Sequence, residues 1–167
     1  MSEDDGFERF SVYGFSIDYP KKCRVEFNPK SRHGSGDVVF HFPDRIKAYL
    51  SWGSLDKAIA NFQTVEKHAD NSINVMKKAR NVRNFENVAR DTLTVNRHNG
   101  VYSLVKLQEV SLGFYGRSRT VGREACAVHV HCPESSRYFV VYVIFFSEGG
   151  AEYEKTLLTM ASSLKCH

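Results

Sequence analysis

The chain is short of most features that would give its chemistry away. Of its 167 residues only 4 are proline, one is tryptophan and 4 are cysteine. The cysteines, Cys23, Cys126, Cys132 and Cys166, form no CxxC pair. This excludes a zinc ribbon and a thioredoxin-type motif, and four are too few to build a disulfide scaffold of this length. They are expected to be free thiols in a reducing compartment. The longest apolar run, Tyr138 to Phe146, falls far short of the roughly 20 residues a membrane helix needs. There is no GxGxxG, GxxxxGK(S/T), HExxH or GxSxG, so the familiar dinucleotide, phosphate, zincin and hydrolase devices are missing. No cofactor is expected. The start, MSEDDGFERF, is acidic and has no apolar core of the secretory kind. A soluble, cytoplasmic protein is expected, with residues 1–167 as one domain and residues 1–8 as a flexible acidic lead. The net charge of +4 is too small to define a class of partner.

What is present is periodicity. Phe15, Ile17 and Tyr19 alternate with Ser16 and Asp18 until Pro20, after a first β segment that ends near Gly14. CRVEFNP continues the alternation, KSRHGSG reads as a hairpin loop, and DVVFHF and KAYLSWG follow as strands, giving an opening antiparallel meander. The period then changes. From Ser54, an N-cap, Ala58, Phe62, Val65, Ala69, Ile73 and Met76 recur at spacings of three and four on one face of a long helix. Asp70-Asn71-Ser72 is a candidate break, because these side chains compete for backbone hydrogen bonds. DTLTVN, the NRHNG turn and VYSLVKLQEVSL restore the strand period, and the loop GFYGRSR leads to a strand over about 120–132. A closing helix carries Tyr153, Leu157, Met160 and Leu164 on one face, with Glu152 and Glu154 in its first turn, where the dipole favours acids.

Strands joined by short loops, a long helix, more strands and a last helix imply an α+β fold: a mostly antiparallel sheet flanked by helices. A doubly wound parallel sheet would need a helix at every crossover.

Two stretches resemble the Mog1/PsbP-like family, which also includes DcrB-type bacterial proteins. YGFSIDYPKKCRV is similar to the family's aromatic-Gly-Phe-Ser-Ile-x-Tyr-Pro segment and the strand after it. FFSEGGAEYEKTLLTMASSLKC is similar to its strand, acidic loop and final helix, with Leu164 where phenylalanine is usual. The resemblance implies an α/β/α sandwich and a binding or accessory role rather than catalysis. Family members stabilise photosystem II or bind a small GTPase, and neither function carries over, since no transit segment and no GTPase-binding signature stand in this sequence.

In AVHVHCPESSRYFVVYVIFF, strand alternation sends Cys126, Val128, Val130 and Cys132 one way and Ala127, His129 and His131 the other. With PESS as the turn, Cys132 faces Arg137, His131 faces Tyr138, Val130 faces Phe139 and His129 faces Val140. The first face, continued by Phe139, Val141, Val143 and Phe145, is the core face. The second, with His129, His131, Tyr138 and Tyr142, is where a protein partner or small ligand would bind, on the sheet or in a sheet–helix groove. An alternative reading makes it a small metalloprotein or enzyme using His129 and His131, with the remaining ligands among Cys166, His167, His41 and His98. The ending KCH could also set Cys166 beside Cys132, close enough for a disulfide. A second alternative is nucleic-acid binding through two basic clusters, Lys77, Lys78, Arg80 and Arg83, and Arg117, Arg119 and Arg123. The small net charge and the lack of a recognised module weigh against it.

Overall fold

Where alternating segments are separated by only a few residues, the chain can pair only antiparallel. The computed structural model describes residues 6–167. Along it run β1 (Phe7–Val12), β2 (Phe15–Pro20), β3 (Arg24–Phe27), β4 (Gly36–His41), β5 (Lys47–Ser54), α1 (Leu55–Phe62), α2 (Val65–Lys77), β6 (Val82–Val95), β7 (His98–Leu112), β8 (Ser118–Cys132), β9 (Arg137–Phe146) and α3 (Ala151–Ser163). Seven strands form one sheet in the order β3-β4-β5-β9-β8-β7-β6, antiparallel at every step. The helical segment between β5 and β6 lets the chain cross to the far edge, and β9 returns to fill the centre.

The expected opening meander is divided. β1 and β2 form a separate two-stranded hairpin closed by Tyr13 and Gly14, both at positive φ (49° and 78°). β2 does not join the large sheet, because Phe15 and Ile17 are buried against the core while its backbone pairs instead with the segment after α3. Ser16 N donates to Lys165 O and Lys165 N to Ser16 O, each at 2.9 Å. Phe7 and Glu8, expected in the acidic lead, belong to β1. Phe7 and Glu8 pair with Pro20 and Tyr19, and the Tyr19 hydroxyl donates to Glu8 at 3.0 Å. Residues 1–5 lie outside the described part.

Alternation sorts the two faces as expected. Cys126, Val128, Val130, Cys132, Phe139, Val141, Val143 and Phe145 are all buried, and Leu157, Met160, Ala161 and Leu164 of α3 and its end, with Phe15 and Ile17, complete the core on that side. Removing one such aromatic ring from water contributes about 1.5–3 kcal/mol. On the opposite face α2 lies over Val101, Val105 and Ala125, burying Val65 and Ala69, with Ile73 and Met76 at the margin. The helices on the two faces make an α/β/α sandwich.

The long helix is two. Its break falls at Gln63, which sits at φ 70°, and Thr64 begins α2 as an N-cap, accepting from Lys67 N at 3.2 Å. Ser54 caps α1 in the same way, accepting from Lys57 N. No break occurs at residues 70–72. Ser72 donates its hydroxyl to His68 O at 3.2 Å within the helix, and Asp70 pairs with Arg90, so the side chains expected to compete with the helix are satisfied without ending it.

Candidate functional site

The predicted hairpin register is the observed one: Cys132↔Arg137, His131↔Tyr138, Val130↔Phe139 and His129↔Val140. It sets His129 and His131 on the face under α2. That helix brings His68 and Ser72, one turn apart, onto the two histidines. Ser72 Oγ lies 2.9 Å from His129 Nε2, and His68 Nδ1 lies 3.1 Å from His131 Nε2. His68 is further held by stacking on Phe62 (centroids 4.5 Å apart, 6° between planes) and by an edge contact with Tyr138 at 4.8 Å. Tyr138 can lie close over the sheet because its partner in β5 is Gly53, where an added Cβ would come within 2.6 Å of the ring.

Between α2 and the sheet is a cavity of about 400 Å³. His129, Tyr138 and Tyr142 line it, as do His68, Ser72 and Ser103, with Val105, Ala127 and Val140 among the apolar walls. His131 stands beside this space, bonded to His68. Burial holds the imidazoles neutral, pushing His129 down to about 3 and, with His131 nearby, His68 down to about 4. Ser72 has one hydroxyl proton and two acceptors in reach, His68 O and His129 Nε2; when the proton goes to His68 O, His129 Nε2–H donates to Ser72 Oγ and His129 Nδ1 keeps a bare lone pair. His129 Nδ1 and Ser103 Oγ are both buried without a hydrogen-bond partner. Unpaired buried polar atoms cost about 1–3 kcal/mol each, and here both belong to residues of the cavity wall.

None of the candidates expected to complete a metal site on His129 and His131 lies beside them; the third imidazole that does is His68. His41 Nε2 contacts Glu26 Oε2 at 2.7 Å, while His98, Cys166 and His167 gather with Cys132, which projects from the other face of β8. Cys132 and Cys166 are neighbours, both as free thiols. The basic residues fall near one end of the sheet, around the start of β6 and the β7–β8 connection. There Arg83 donates to Arg80 O and Val82 O, and Arg123 pairs with Glu109 at 3.1 Å and covers the Phe146 ring at 4.4 Å. Lys77 and Lys78 stand at the C-terminal end of α2, where they complement its dipole. Arg119 lies in β8, which starts at Ser118, and not in the preceding loop with Arg117.

His68, Ser72 and Ser103 are site residues that the sequence reading does not single out. The first two carry a signal, an i, i+4 pair of polar residues flanking the apolar stripe of α2. Ser103 carries one too, as a lone hydroxyl between Val101 and Val105 on a buried face.

No family model matches this chain and no curated protein was found similar to it. Solved structures do resemble it. The solution structure of cyanobacterial PsbP from Synechocystis superposes with a TM-score of 0.69 at 11% identity, covering 99% of this chain and 95% of that one. A crystal structure from Bacteroides thetaiotaomicron superposes at 0.55 and 12% identity over 98% of this chain, which spans 49% of that protein. No helix among the described residues is long and apolar enough to cross a membrane. Strand order, helix placement and the full-length superposition agree with the resemblance read from the two end segments: the fold is PsbP/Mog1-like.

Proposed function

We propose that this chain is a non-enzymatic binding module that holds a small, neutral, largely apolar ligand in the cavity between α2 and the sheet. The observation that carries this reading is the pair of unpartnered polar atoms, His129 Nδ1 and Ser103 Oγ, on residues lining a largely apolar space of about 400 Å³. An apolar wall supplies affinity by burial, and two polar groups orient what enters. With His129 and His68 neutral, the wall offers no imidazolium to an anion, and in the tautomer that carries its proton on Nε2 the lone pair on Nδ1 calls for a donor. A ligand with one hydroxyl or N–H on an apolar ring answers that chemistry.

Naphthalene and 2-naphthol are suitable probes, followed by ligand-observed NMR and titration. 2-Naphthol is expected to bind about 5–10-fold tighter than naphthalene, the worth of one hydrogen bond to a buried acceptor. His129→Ala should erase that preference, and Ala127→Phe should block both. Failure of both probes to bind at their solubility limits, or a preference untouched by His129→Ala, overturns the reading.

A further inference from the structure

At the other face of β8, three distant parts of the chain converge on one point. His98 opens β7 just after the tight turn at Asn96 and Arg97, Cys132 closes β8, and Cys166 and His167 follow α3. The last two are placed by the backbone pairing of Lys165 with Ser16 and by the burial of Leu164. Two sulfurs and one ring nitrogen of each histidine all lie within 4.8 Å of one another. We propose that His98, Cys132, Cys166 and His167 form a tetrahedral zinc site that ties the segment after α3 to the ends of β7 and β8.

The geometry argues for the ion. Zinc binds cysteine sulfur at about 2.3 Å and histidine nitrogen at about 2.0–2.1 Å, so the N···S edge of its tetrahedron is about 3.5–3.6 Å. The three such edges seen here are Cys132 Sγ to His98 Nε2 at 3.6 Å, Cys132 Sγ to His167 Nδ1 at 3.5 Å and Cys166 Sγ to His167 Nδ1 at 3.6 Å. Two thiolates and two neutral imidazoles balance the charge of a divalent ion and, as soft and borderline donors, favour zinc over magnesium or calcium. Both cysteines are fully buried, as a closed structural site requires. Asn96 Nδ2 lies 3.3 Å from Cys166 Sγ and 3.3 Å from His167 Nδ1, placed to donate to the Cys166 sulfur once the metal takes the ring nitrogen. His98 Nε2 also meets Glu134 Oε2 at 3.1 Å, and that half-exposed carboxylate is free to turn to solvent when Nε2 binds the ion. This site shares no residue with the cavity under α2, so either proposal can fail alone.

The test is titration of the reduced, chelator-treated full chain with Zn(II) and, in parallel, with Co(II), whose intense visible bands report tetrahedral thiolate coordination. The expected result is one equivalent bound with submicromolar affinity, a raised melting temperature, and tetrahedral cobalt bands. Cys132→Ser and Cys166→Ser should each weaken zinc at least tenfold, while His129→Ala leaves it unchanged. Circular dichroism of each metal-free variant shows whether it is folded, and His98→Gln serves as the milder ligand change should either serine variant fail to fold. Binding only above about 100 µM, octahedral cobalt bands, or affinity lost in His129→Ala and kept in Cys132→Ser would overturn the proposal.

Discussion

His129 and His68 show how a residue's surroundings become a property of the whole chain. Both imidazoles are neutral in the folded protein because burial penalises their charged form, with His68, His131 and Arg90 further disfavouring a charge on His129. In the unfolded chain they protonate near pH 6.5. Between that pH and their folded values of about 3 and about 4, the unfolded state therefore binds more protons than the native one. Stability must fall as the solution is acidified through this window, by up to about 1.4 kcal/mol per pH unit for each imidazole. His131, also lowered by burial, adds in the same direction. Urea midpoints measured from about pH 7.5 to about pH 5, above the range in which carboxylates titrate, should decline steadily. In His129→Gln the decline should be visibly shallower, and an identical slope would show that His129 is solvated or protonated in the native state.

Between elements the decisive contact is Arg137. It is 3% exposed, and its Nη1 donates to Tyr13 O at 3.0 Å and to His33 O at 3.3 Å, so one side chain from β9 holds both the β1–β2 turn and the β3–β4 loop. Its guanidinium also lies 5.3 Å and 5.4 Å from the centroids of Phe15 and Phe139. Arg137→Ala is expected to cost roughly 2–4 kcal/mol and to speed hydrogen exchange in β1 and β2 before the large sheet responds. Arg137→Lys should recover less than half, since a single ammonium does not reproduce the planar fork. Contacts of this kind mark the boundary of what the sequence discloses. Alternation places Val128 and Phe139 in the core and His129 on the other face, and the PESS turn sets the register, because both are local rules. The arrival of His68 over His131, 63 positions away, and of His167 beside Cys132, 35 positions away, depends on how helices dock, which no local period encodes. The helix break at Gln63 escapes for a related reason: the apolar stripe runs through it unbroken, and the positive φ shows only in the backbone.

At the scale of the molecule, the strand order separates centre from edge. β9 arrives late in the chain yet lies between β5 and β8, with Phe139, Val141, Val143 and Phe145 all buried, so the sheet closes only when distant segments meet. The edges are built differently. β3 has four residues and none is buried, and β6 carries register shifts between Arg83 and Glu86 and between Asn87 and Ala89. Bulges, charged side chains and short length are the devices that keep an edge strand from pairing with another molecule, and they also weaken its hold on the sheet. Opening of β6 over residues 82–89 uncovers the partly buried Val82, Phe85 and Ala89 and the small cluster beneath them, whereas opening β8 or β9 exposes the main core. Native-state hydrogen exchange should therefore rank the strands by position in the sheet and not by position in the chain. Amides of β8 and β9 are expected to exchange only through global unfolding, with the full denaturant dependence of the equilibrium transition. Those of β3 and of residues 82–89 should exchange through local fluctuations with almost none. Uniform protection across β6, or early exchange in β9, would contradict a sheet whose strength radiates from the late-arriving central strand.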